Sequence, residues 1–200
     1  MQSGRPSGNV RGGRPFTTTL PHIMPTHYEL HCEGCPYQNA AHLPASLRQI
    51  RAAPLSMENN RASVLLIFQA PGVDEWSNGK PVISTSPSSA RVRLEAAFRI
   101  AHRTRQDYTI TNTVQCFPGK KPQHGIAKPR DNAPPAAVRR HCSEWLRQDI
   151  DAHPYKRIVV FGSHAHKAVR ALGYSKDPRF NFVTHPNGGI SNEVLAKAVG

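Results

Sequence analysis

The sequence predicts an α/β fold, a three-layer α/β/α sandwich with a central four-stranded, mainly parallel sheet. Three observations carry this reading. Four short β-type runs alternate with helical segments along the chain, the pattern of right-handed crossover units. Two of the runs, Ser63–Gln69 (SVLLIFQ) and Arg157–Gly162 (RIVVFG), are nearly continuously apolar, as strands buried on both faces are. A chain of 200 residues with 38% hydrophobic residues supplies one core, with or without a tail, and little more.

Residues 1–22 are rich in Gly, Arg, Pro and Ser, carry Arg5, Arg11 and Arg14, and contain no acid. They read as a disordered basic arm before a folded domain over 23–200. The first strand, 63–69, runs into an irregular stretch at 71–87 (PGVDEWSNGKPVISTSP). A helix follows at 88–102, with Val92, Ala96 and Ile100 on one face and Arg91, Glu95 and Arg99 on another. The second strand, Tyr108–Asn112, leads into a second irregular, basic stretch at 117–135. The helix at 134–150 has Val138, Trp145 and Ile150 as apolar anchors. After the strand at 157–162 comes a helix at 163–172, with Ser163 as its expected N-cap. The last strand, Asn181–His185, precedes a helix at 191–199 that opens on a Ser-x-Glu start. Both long stretches, and His185-Pro186-Asn187-Gly188-Gly189, leave the carboxyl ends of strands, where parallel α/β sheets bind ligands.

Charge points to the partner. Lys+Arg number 26 against 13 Asp+Glu, a formal +13, and arginines outnumber lysines. Arginine is the better fork for phosphate, so DNA or RNA is the expected partner. No apolar run reaches the roughly 18–20 residues that span a bilayer. No apolar core of a secretory signal follows the basic N-terminus. A cytoplasmic, nucleoid-associated monomer with no membrane partner is expected. No phosphate-cradling loop and no dinucleotide glycine fingerprint occurs, which excludes the commonest nucleotide-dependent enzymes.

The four cysteines are Cys32-x-x-Cys35, Cys116 and Cys142. The close pair can present two thiolates to one centre, and the others must be delivered by tertiary folding. Disulfides are disfavoured without a sign of secretion, and a redox pair leaves Cys116 and Cys142 unexplained. Structural zinc and an iron–sulfur cluster both remain open on spacing, as do unrelated buried thiols. Among other polar residues, His164 and His166 do not share a helix face and read as surface or capping groups. Asp149 and Asp151, near a helix end, read as solvated. Trp76 is either a base-stacking ring or a packing anchor.

In order along roughly residues 28–198, the chain resembles the iron–sulfur branch of the uracil-DNA glycosylase superfamily, often called family four. The marks are Cys32-Glu33-Gly34-Cys35-Pro36, then Gln69-Ala70-Pro71-Gly72 with Asp74-Glu75, where the family has Gly-Glu-Ala-Pro-Gly, and Gly79-Lys80-Pro81-Val82 for Gly-Arg-Pro-Phe. Ile110-Thr111-Asn112 with Cys116 and Pro118, then Cys142 in a helix, and His185-Pro186 complete the series. The resemblance implies a glycosylase that flips a nucleotide out of the stack and hydrolyses its N-glycosidic bond, with a structural 4Fe-4S cluster on Cys32, Cys35, Cys116 and Cys142. It implies catalytic roles for Gln69, Asp74 and His185, and base contacts from Ala70, Gly72, Val82 and Asn112. Lys120, Lys121, Lys128, Arg130 and Asn187 would grip the DNA backbone. Four departures stand out: Gln69 replaces a carboxylate, Val82 replaces the aromatic residue that stacks on the extruded base, Asn187 replaces a serine, and the stretch between Cys116 and Cys142 is longer than the family's and basic. They turn the expected substrate from plain uracil toward a bulkier or modified pyrimidine. The alternative they motivate is a catalytically weak or inactive DNA-binding module on the same fold.

Overall fold

Each of the four expected strands forms. β1 (Val64–Phe68), β2 (Thr109–Asn112), β3 (Arg157–Phe161) and β4 (Phe180–Val183) make one sheet in the order β2-β1-β3-β4. Every pairing is parallel, so the sheet is wholly rather than mainly parallel. The computed structural model describes residues 32–121 and 130–200. The expected basic arm and Lys128 lie outside the described residues.

Among the described residues six α-helices surround the sheet: α1 (Ala45–Ile50), α2 (Val73–Asn78), α3 (Ala90–Ile100), α4 (Ala136–Asp151), α5 (Ser163–Ala171) and α6 (Asn192–Val199). The pleat explains the layers. Leu66, Phe68, Val159 and Phe161 point to one face and pack against α3 and α6. Leu65, Ile67, Ile158 and Val160 point to the other and meet Leu146 and Ile150 of α4 and Ala165 and Val169 of α5. Both faces of β1 and β3 are therefore dry, which is why these strands read as unbroken apolar runs. The outer edge of β2 is covered by residue 58, whose backbone pairs antiparallel with Ile110, a common way to blunt an exposed edge.

Four expectations change. The core stripe of α3 is Leu94, Ala97 and Phe98, whereas Val92 and Ile100 are 37% and 47% exposed. A 94/97/98 stripe follows the helix turn and buries the bulkiest side chains; a strict every-fourth ladder drifts around the helix and does not. Within the stretch expected to be irregular, residues 73–78 form α2, bounded by Gly72 and by Gly79 in the left-handed region. Six residues are too few to show periodicity. Gly162, not Ser163, caps α5. Ser191 does cap α6, its Oγ accepting from the Val194 N–H at 3.3 Å. His166 is no surface group: its Nε2 lies 2.9 Å from the carbonyls of both Val160 and Val183, bracing β3 against β4. Among the described residues no helix is long and apolar enough to cross a membrane.

After β1 the chain turns to the α3 face, and after β3 to the α5 face. The sheet therefore opens a crevice at the carboxyl ends of its strands.

Candidate active site

That crevice is a cleft of about 360 Å³, within the size range of ligand sites. The loop after β1 contributes Gln69, Ala70, Gly72 and Asp74; Val82 and Asn112 lie across from it; Lys120, His185 and Asn187 complete the rim. The fold thus gathers most of the expected site residues into one concavity. Lys121 and Arg130 are exposed and are not part of its lining.

Asn112 is the last residue of β2 and is 2% exposed. The ladder with the first chain segment continues past it, with the Thr113 N–H on Phe68 O at 2.7 Å and the Val114 N–H on Gln69 O at 3.0 Å. Its carbonyl accepts from Gln115 Nε2 at 3.0 Å. Among the described residues nothing takes its side-chain amide, which lines the cleft. The amide is open to the cleft, and a ligand edge offering a donor and an acceptor would pair with both of its ends.

Behind Asn112 lies a polar network that sequence reading missed. Asp149 is largely buried, not solvated: its Oδ2 accepts from Thr111 Oγ1, and Gln115 Nε2 bonds Thr111 Oγ1 at 3.2 Å. The periodicity of α4 contains the signal, because position 149 falls beside Ile150 and one turn from Trp145 and Leu146. Burial pushes the Asp149 carboxyl up to about 6, only partly countered by the Thr111 hydrogen bond. The unfolded chain holds it near 3.8. Between those values the native state binds more protons, so this group subtracts stability as pH rises, with the full penalty present above about 6. Asp149→Asn should therefore gain on wild type with rising pH, by on the order of 3 kcal/mol at most. Melting of both proteins at pH 5 and pH 8 checks this. An equal difference at the two values would show that Asp149 does not titrate in this range.

His185 follows β4 and is half-buried. Burial holds its imidazole below the usual range, so it is neutral at pH 7. The Asn187 N–H donates to Nδ1 at 3.2 Å, which leaves the proton on Nε2 as a hydrogen-bond donor. The ring stands edge-on to Phe68, with centroids 6.3 Å apart. Gly162 makes room for it: a Cβ there would lie 3.2 Å from His185 Cβ, and φ is +86°.

The 69–84 segment is fixed from several sides. Asp74 is exposed on the rim and accepts from Ser84 Oγ at 2.6 Å. Glu75, which was not singled out from sequence, turns inward; its Oε1 accepts from the Ile83 and Ser84 N–H groups, both at 3.2 Å. Its Oε2 would lie 2.7 Å from a Cβ on Gly72, so a side chain there would push the Glu75 carboxylate aside. Val82 is 7% exposed and holds φ +50°, an uncommon conformation for a β-branched residue. Arg105 pins it, donating to the carbonyls of Pro81 and Val82 at 2.6 and 2.8 Å while forking onto Glu58. Burial raises the Glu58 carboxyl, but the Arg105 hydrogen bonds and charge outweigh it and leave it below its ordinary value. Trp76 and Phe117 are both fully buried in the cluster beneath the cleft and are packing anchors. Of the aromatic rings among the described residues, only Phe68 and the imidazole of His185 line the cleft.

A second, smaller cavity is lined by all four cysteines together with Tyr37, Gln115 and His141. Cys116 and Cys142 are buried, and Cys32 and Cys35 are half-buried. Burial and then the neighbouring thiols push Cys116 far up, and burial pushes Cys142 up to about 12. The Tyr37 N–H donates to the Cys35 sulfur at 3.4 Å. Among the described residues no three such side chains form a group tight enough for one metal ion.

The model of the Uracil DNA glycosylase superfamily matches residues 56–195. The chain belongs to this superfamily. The match starts before β1, ends inside α6, and takes in Asn112, Cys116, Cys142 and His185. A curated relative, the type-4 uracil-DNA glycosylase of Saccharolobus solfataricus, is 26% identical over 107 residues. That stretch is 54% of this chain and 44% of the relative, so less than half of the relative's length is matched.

Proposed function

We propose that this superfamily member is a monofunctional, monomeric DNA glycosylase that hydrolytically excises uracil or a modified pyrimidine from DNA. One observation carries the reading: the partnerless Asn112 amide and the His185 Nε2–H line the same buried-walled cleft. Asn112 can pair with both a donor and an acceptor on a pyrimidine edge. As the C1′–N1 bond breaks, negative charge collects on the base, and a neutral imidazole N–H donates to the developing oxyanion without losing a proton. The Ala70–Gly72 backbone and Gln69 lie where the sugar and water would sit, with Asp74 at the rim. Arg130, Lys121, Lys128 and Asn187 would meet phosphates. Lys120 is already paired with Asp131 at 2.9 Å and contributes less free charge.

The thiol cavity supports a 4Fe-4S cluster held by Cys32, Cys35, Cys116 and Cys142. Four cysteines that ring a cavity yet do not close on one ion suit a multi-atom cluster better than zinc. Such a cluster supplies no reaction step here; it cross-links the segment before α1 to the end of β2 and to α4.

The test is excision from single-stranded and duplex oligonucleotides carrying uracil or a panel of 5-substituted pyrimidines, read after alkali cleavage. Release of at least one base is expected. DNA binding with no release from any substrate would favour the inactive-module reading that Gln69 and Val82 motivate. Val82→Phe tests the pocket. A ring in place of the isopropyl group should improve uracil excision by about tenfold, since base–aromatic stacking contributes roughly 1–3 kcal/mol, and should exclude 5-substituted bases. Efficient uracil excision by wild type, unimproved by Val82→Phe, would rule out the enlarged pocket.

A further inference from the structure

We infer that Asp131 is a catalytic carboxylate of the cleft, holding the attacking water in the place that Gln69 cannot serve. The inference rests on the glycosylase reading above. Gln69, at the start of the loop after β1, is an amide and takes no proton at neutral pH. Asp131 comes from a different part of the chain, the stretch between Cys116 and Cys142, and lines the same cleft as Asn112 and His185.

Its placement is built, not incidental. The backbones of Lys120 and Asp131 pair in an antiparallel bridge. On either side of that bridge, the Lys121 N–H donates to Arg130 O and the Asn132 N–H to Gly119 O, both at 2.8 Å. Asn132 Nδ2 adds a bond to Pro118 O at 3.2 Å. On the side chain, Oδ1 accepts from Lys120 Nζ at 2.9 Å. Oδ2 reaches across the cleft, to 3.5 Å from where a Cβ on Gly72 would stand. The absence of a side chain at Gly72 thus leaves a gap bordered by the Asp131 and Glu75 carboxylates. Glu75 is committed to two backbone N–H groups through its other oxygen. Asp131 is tethered by a flexible lysine instead, and among the described residues its Oδ2 has no donor, which leaves it for a water.

In the reaction, the water oxygen bonds to C1′ while the C1′–N1 bond breaks and its electron pair leaves on the base. Asp131 takes one proton from the water; that proton returns through solvent to the base, and the products are the free base and an abasic sugar bearing C1′–OH. The same carboxylate faces the cationic sugar as it forms, which gives a readout separate from turnover.

The test compares wild type, Asp131→Asn and the double variant Gln69→Glu/Asp131→Asn, all with intact melting transitions. Single-turnover excision of the base that wild type removes best should fall at least 100-fold in Asp131→Asn and recover at least tenfold in the double variant. Wild type should bind duplex carrying a cationic pyrrolidine abasic mimic at least tenfold tighter than duplex carrying the neutral tetrahydrofuran mimic, and Asp131→Asn should lose that preference. Unchanged excision and unchanged cation preference in Asp131→Asn would overturn the role of Asp131 while leaving the glycosylase reading intact. If wild type excises no base and prefers neither mimic over intact DNA, the glycosylase reading falls, and this inference with it.

Discussion

Asn112→Ala is expected to lower single-turnover excision of every substrate by about 10³-fold, the scale on which loss of one preorganised polar contact in an active site is felt. Stability should hold. The amide lines the cleft and has no partner among the described residues, so alanine breaks no hydrogen bond of the fold. The Asn112 carbonyl, which Gln115 holds, is untouched by the change. Excision kinetics, thermal melting and binding to undamaged DNA together separate the roles. If melting collapses along with excision, Asn112 serves the fold and its place in the cleft is incidental.

The second large effect is expected at Cys116. Cys116→Ser should abolish visible absorbance from iron–sulfur charge transfer, sharply cut soluble yield, and expose the segment before β1 to proteolysis. Cys116 is buried among Tyr37, Leu43, Trp76 and Phe117, the cluster through which the first residues of the domain reach the sheet. His42 strengthens that attachment: its ring stacks on Tyr37 at 3.5 Å and its Nε2 donates to Phe117 O at 2.7 Å. Ligand binding to four such thiols is itself folding free energy, so losing one ligand weakens the whole attachment. Iron and sulfide analysis of anaerobically prepared wild type should find a cluster. Stoichiometric zinc with no iron would overturn the assignment.

How much of this was legible in the sequence differs by element, for physical reasons. β1 and β3 announce themselves because burial on both faces forbids polar residues. The return of Asn112, His185 and the loop after β1 to one crevice follows from parallel topology, which sends those strand ends to the same edge. The α3 face did not follow, because two apolar stripes compete there and only side-chain volume against the sheet decides between them. Asp149 looked solvated because its partner Thr111 lies 38 residues away. Glu75 and Asp131 escaped notice for a related reason: what brings them together is the empty space over Gly72, and no one-dimensional pattern encodes a void. The choice between zinc and a cluster was equally out of reach of spacing alone, since it turns on how far apart the sulfurs are held.

The run from Asn112 to Cys116 has a consequence for redesign. Every residue in it is buried, and Gln115 both bonds the Asn112 carbonyl through its side chain and lines the thiol cavity. The cleft residue Asn112 and the thiol cavity therefore meet within five residues and on one glutamine. A change at that glutamine will be felt at both. Val82 and Asn187 arrive on two separate loops that leave this run alone, so variation in substrate choice has room to accumulate in those loops while the shared run stays fixed. A library aimed at new base preferences belongs at 82 and 187, with Asp131 kept, and one that randomises 113–116 should return mostly unfolded protein.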